Sequence, residues 1–235
     1  MASVQDNESG HLSTYILGFS FASLGVMLGF AYMLQFEGKA VAKASDLPVP
    51  AESSAEEAEE AEDVPPIKPG DTFYVENRLS NTRNWIEARQ QIVEGTASEV
   101  RLSGGDLNAW IRQRTQLLVP PEESRGILVI PGRPAFGTGR DNTFYINMSL
   151  QVSAYGLKDE LKLIAQCGTE GAGIRVDSLF LNSARIPLAS TLGQRLLLTL
   201  TRPFQGNEDF EIIRDAISRA DSLQVSGGEF VLKLP

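Results

Sequence analysis

The side chains that most often do chemistry are scarce in this chain, and their positions exclude most reaction types. There is one histidine, His11, and one cysteine, Cys167, in 235 residues. A serine or cysteine nucleophile needs an imidazole within hydrogen-bond reach. His11 precedes a long apolar segment that separates it from everything downstream, so no Ser-His-Asp or Cys-His set forms within one chain, and histidine-ligated zinc falls with it. A lone cysteine makes neither an internal disulfide nor a thiolate metal cluster. It also falls on the apolar alternation of its strand, which predicts a buried, inert thiol. Gly168, Gly171 and Gly173 fit neither the phosphate-loop nor the dinucleotide fingerprint, and there is no Walker lysine. The adjacent carboxylates Asp159-Glu160 and Glu122-Glu123 are chemically able to exchange protons, but neighbouring acids at turns are usually just solvated. Asn147-Met148-Ser149 matches a glycosylation acceptor, yet it sits in mid-strand and reads as a chance match. The expectation is a protein that is not an enzyme and uses no metal or cofactor.

The apolar segment itself runs from Tyr15 to Leu34 with no ionisable side chain except tyrosine. As a helix it would be about 30 Å long, the thickness of a bilayer's hydrocarbon core. Tyr15 and Tyr32 lie near its ends, where amphipathic rings prefer the interface. A cleaved signal peptide is the rival reading, with Ala42-Lys43-Ala44 as its small-residue site. The apolar core is too long for one and no basic residue precedes it, so residues 15 to 36 are read as an uncleaved single-pass anchor after a tail of residues 1 to 14. Gly18, Ala22, Gly25 and Gly29 gather on one stripe of this helix. Such a stripe suits a homodimer or a partner membrane helix, although glycine is also common in membrane helices generally.

Charge is distributed unevenly. Residues 1 to 67 hold two bases and 11 acids, whereas residues 68 to 235 hold 19 of each. With no Lys/Arg cluster to displace counterions from phosphates, nucleic acid is set aside as a partner. Eight acids and no base lie between Asp46 and Asp63, flanked by prolines. Residues 37 to 70 therefore read as an extended, self-repelling tether holding the domain away from the membrane.

Residues 71 to 235 read as one α+β domain. Trp85, Ala88 and Ile92 recur at helical spacing within 81 to 93. Ser103 with Asp106 forms a capping box for a second helix, stapled by Leu102 and Leu107. From Thr143 to Ala154 apolar residues alternate strictly with polar ones, broken only by Tyr145, which predicts a long strand with one face on a core. Leu161 to Cys167 returns, and Ile174, Val176 and Phe180 begin a third strand of an antiparallel meander. Pro187 fits the first turn of a leucine-rich helix that ends before Pro203. Asn207 caps a last helix carrying Phe210, Ile213 and Ile217, and a hairpin crosses Gly227-Gly228. The expected architecture is a long curved antiparallel sheet packed by helices.

The run Leu102-Ser-Gly-Gly-Asp-Leu-Asn-Ala-Trp-Ile111, the amphipathic strands, Ala184-Arg-Ile-Pro-Leu188 before an apolar helix, and the closing Val-x-x-Gly-x-Phe-x-Leu hairpin together resemble bacterial extracytoplasmic domains of the tubular lipid-binding (TULIP-like) kind. The likeness covers about residues 97 to 235 and departs from lipoprotein members by lacking an N-terminal lipid-attachment cysteine. It implies a domain facing the periplasm or cell exterior, whereas Lys39 and Lys43 after the anchor lean toward the cytoplasm; the resemblance is followed. It also implies a groove between sheet and helix for a lipid or other apolar ligand, assigned to Phe144, Ile146, Met148, Leu150, Phe180, Leu192 and Leu196. The alternative is an anchored interaction protein of an envelope assembly.

Overall fold

The computed structural model describes residues 8–48, 71–115, 127–154 and 157–235; the acidic run after residue 48 and Glu122-Glu123 lie outside them. The first helix, α1, spans Glu8–Leu34 and contains the apolar segment, whose 20 residues are long and hydrophobic enough to cross a membrane.

Two short strands follow where the tether was expected to begin. β1 (Lys39–Val41) pairs in parallel with β2 (Phe73–Val75), and Val41 and Leu47 pack with Tyr74, Val75, Tyr145 and Ile164. Residues 39 to 47 thus belong to the folded unit and are not tether, because their apolar side chains find a sheet face to cover. Gly38 allows this crossing, since a Cβ there would strike Ile164 and Tyr74.

The helices α2 (Asn84–Glu94) and α3 (Gly104–Arg114) flank β3 (Glu99–Ser103). α2 buries Trp85, Ala88 and Ile92, the three residues whose spacing defines it. Ser103 caps α3 by accepting from the Asp106 amide at 3.1 Å, and its hydroxyl donates to the Asp106 carboxylate at 2.6 Å. One of the orphan amide donors at that helix start is thereby engaged, and the two capping side chains hold each other in place.

The large sheet follows. β6 (Thr143–Ala154) is its centre and keeps the bounds set by its alternation; β7 (Leu157–Glu170) runs back along its whole length, and β8 (Gly173–Leu181) and β9 (Ala184–Arg185) continue the order. Asp159 and Glu160 are exposed residues of β7, not of a turn. On the other edge β6 pairs with β4 (Ile127–Pro131) and β5 (Ala135–Thr138), two strands that the sequence pattern did not single out. Between β7 and β8 the register slips at Gln166/Cys167, which face Ser178 and Val176 and leave Asp177 without an opposite residue. An extra residue reverses the faces of everything beyond it. Val176, Leu179 and Leu181 therefore share one face, and Phe180, expected among them, packs on the opposite side with Ile164.

Helix α4 (Thr191–Thr201) starts later than Pro187 suggested. The Pro187 carbonyl accepts from the Ser190 amide and hydroxyl, and the Ser190 side chain in turn accepts from the Gly193 amide at 3.0 Å. Ser190 is the cap, and Pro187 closes the turn before it. Asn207 caps α5 (Glu208–Arg219) as expected, accepting from the Asp209 amide. The final hairpin, β10 (Ser222–Ser226) and β11 (Glu229–Lys233), joins β3 in a separate three-stranded sheet and is not part of the large one. Two cores result. One lies under the large sheet and α4, with Phe144, Met148, Leu163 and Leu196; the other joins the small sheet to α2, α3 and α5 through Trp85, Trp110, Ala216 and Leu232.

Candidate functional site

Where the two cores meet they do not close completely. A cavity of about 450 Å3 lies between them. Phe144, Ile146, Ala165 and Cys167 line it from the large sheet, Phe230 and Leu232 from the small one, and Trp110 and Ala216 from the helices. Among the described lining residues none is charged and only Thr201 carries a hydroxyl. Thr201 and Ile174, both exposed, mark its open side beside the end of α4. The volume falls within the roughly 300 to 1,000 Å3 of small-molecule sites, and a void lined this way stays dry or takes an apolar guest.

The seven groove residues named from the sequence are not brought together here. Phe144 and Ile146 line the cavity. Met148, Leu150 and Leu196 are buried in the first core without reaching it, and Phe180 is on the far face of the sheet. Leu192 points away from the core and is 44% exposed. The walls missed by the sequence come from the second core, through Trp110, Ala216 and Ile213, and from Phe210 beside it on α5. Their helical spacing signalled burial but not which surface they would face.

One wall is held by charge. Trp110 stacks on Trp85 with centroids 5.9 Å apart, and its indole Nε1 donates to Asp209 Oδ2 at 3.1 Å. Asp209 also takes Arg89 Nε at 2.6 Å and Arg114 Nε at 3.0 Å. Burial alone would raise its carboxyl pKa, but the bonds from Arg89 and Trp110 and the charges of Arg89 and Arg114 outweigh burial and hold it below the ordinary value. Asp106 is held low in the same sense, against its burial, by Ser103, Thr82 and Ser80. In the unfolded chain both return to an ordinary carboxylate value of about 3.9, so below that pH the unfolded state binds more protons. Their stabilisation is complete above the ordinary value and is lost as the pH falls through the depressed one. The melting temperature of the full chain is expected to drop as the pH is lowered below about 4 and to drop less in Asp209→Asn; parallel pH profiles for the two proteins would remove Asp209 from this account.

Cys167 is fully buried against the cavity, and burial together with the Asp177 charge pushes its thiol up to about 12. It is a wall and not a nucleophile at neutral pH. The matched Asn147 is buried, its amide donating to the Ala135 carbonyl at 3.3 Å.

The domain sits directly against the end of α1. The Asn182 amide donates to the Leu34 carbonyl at 2.6 Å while its oxygen accepts from the Lys162 amide at 2.7 Å. Asn182 takes a φ of 52° to do so, a conformation that asparagine tolerates. Phe30 and Leu34 pack against the first core. By the helical repeat of about 100° per residue, they lie well round from the stripe of Gly18, Ala22, Gly25 and Gly29. No atom outside the helix comes within 4 Å of a Cβ built on any of these three glycines.

The chain matches no model of a known protein family and no curated protein.

Proposed function

We propose that this is a single-pass membrane protein whose extracytoplasmic domain holds a lipid or another apolar ligand in the space between its two cores. The observation that carries the reading is the uncharged cavity of about 450 Å3. A chain that closed its cores fully would gain packing at every one of these walls, so a retained opening of this size is best used as a site. The apolar α1 supplies the anchor, and the TULIP-like resemblance supplies both the ligand class and the side of the membrane.

Ala165 and Ala216 test it, because both are fully buried small residues on opposite walls. Full chain in mild detergent is titrated with an environment-sensitive fluorescent fatty acid, and native mass spectrometry reports lipid carried through purification. Wild type is expected to bind saturably and to carry lipid. Ala165→Leu and Ala216→Leu fill the space and should each weaken binding at least about tenfold, equivalent to about 1.4 kcal/mol, with the melting temperature little changed because the added methyl groups enter a void. Binding that ignores both substitutions would rule the cavity out as the site.

A further inference from the structure

Helix α4 buries one side, and its outer side, uncovered among the described residues, sets leucines on either side of arginine. Gly193, Leu196 and Leu200 are buried, whereas Leu192 and Leu198 are 44% and 66% exposed. Between Asp177 and Glu208 the sequence has three arginines, Arg185, Arg195 and Arg202, and no acid, in a chain whose net charge is −9. All three are exposed, and none makes an ion pair among the described residues. This leucine-and-arginine surface belongs to the part of the domain fixed to the membrane helix. β9 touches α1, Asn182 just before it binds the Leu34 carbonyl, and the chain then turns through Pro187 into α4. Phe30, which packs on the core that Leu196 and Leu200 also enter, lies about 6 Å inside the end of the span. A domain in contact with a residue at that depth cannot stand off from the lipid.

We infer that α4 lies on the bilayer that α1 crosses, with Leu192 and Leu198 inserted among the acyl chains and Arg185, Arg195 and Arg202 on anionic headgroups. Exposed leucines interleaved with arginine allow a helix to rest in the interface plane, its apolar side chains in the acyl boundary and its guanidinium groups at the headgroups. The open side of the cavity, marked by Thr201 next to the end of α4, would then face lipid and not water. The inference rests on the reading of α1 as an anchor and deepens that of the cavity by giving its ligand a route from the membrane.

The test uses full chain reconstituted into vesicles of phosphatidylcholine and phosphatidylglycerol. Single cysteines replace Leu198 and, as a control, Val93, an equally apolar residue of α2 that is 55% exposed. Each is labelled with an NBD fluorophore, which the buried Cys167 thiol does not take up. Flotation with the vesicles reports the anchor; failure to float overturns the anchor and the docking together. In floated protein, a doxyl-labelled lipid is expected to quench the probe at 198 at least about threefold more than the probe at 93. Equal quenching at both positions overturns the docking and leaves the anchor standing. A probe at 198 shielded from iodide but untouched by doxyl lipid would mean that protein, a second copy or a partner, covers α4, and also overturns it. Arg195→Glu with Arg202→Glu should lower the quenching at 198 about twofold or more in these vesicles; no change overturns the assignment of anionic headgroups.

Discussion

Trp110→Ala is expected to destabilise the domain by about 4 kcal/mol, the largest effect of any single truncation at the site. The indole is 1% exposed, stacks on Trp85 and lines the cavity. Its loss enlarges an existing void, so little of the new space can collapse. It also leaves Asp209, whose side chain is 7% exposed, without one of its donors. Trp110→Phe separates these contributions, since it keeps most of the packing and removes only the Nε1 hydrogen bond, for about 1 kcal/mol. Guanidinium unfolding of the full chain in mild detergent, followed by far-UV circular dichroism, measures both. A loss under about 1.5 kcal/mol in the alanine variant would show that the second core does not depend on this stack.

Gly137→Val is expected to cost about 3 kcal/mol and to act on the opposite face of the large sheet. Gly137 is on β5, and a Cβ there would overlap the Val75 carbonyl of β2. Neither backbone can retreat freely. Asn77 Oδ1 accepts from the Thr138 amide at 2.8 Å, and Asn108 bridges Asn77 to Phe136, donating to both carbonyls and accepting from the Phe136 amide at 2.6 Å. The side chain would therefore push β2 off the sheet and loosen β1 with it. Hydrogen exchange resolves this from global unfolding: amides of β1 and β2 should exchange at least about tenfold faster while those of β6 and β7 keep their protection. Unchanged protection at residues 73 to 75 would sink the prediction.

The same residues show what could be read from the chain. α2 was legible because Trp85, Ala88 and Ile92 are spaced as one helix face, and α3 and α5 because Ser103 and Asn207 hold side-chain caps whose partners are two or three residues away. β6 was legible because its alternation is long. Tyr145, the residue that broke the pattern, is buried because β2 covers that face at this end of the strand. β1 and β2 carried no such signal: each is three residues long, and they pair across a stretch of more than 30 residues.

Sequence by itself determined the elements whose stabilising contacts are local or periodic: the apolar helix at Tyr15 to Leu34, the capped helices, the long strands and the closing hairpin. Tertiary structure alone decided which faces meet. One unpaired residue at Asp177 moved Phe180 to the other side of the sheet, and the joining of β3 to the hairpin made a second core. The meeting of the two cores left the cavity, and Asn182, with the packing of Phe30 and Leu34, brought the domain up against the end of α1 where a spacer was expected. Periodicity says that a face is buried, but its partner is chosen by register and long-range pairing, which no short window of sequence contains.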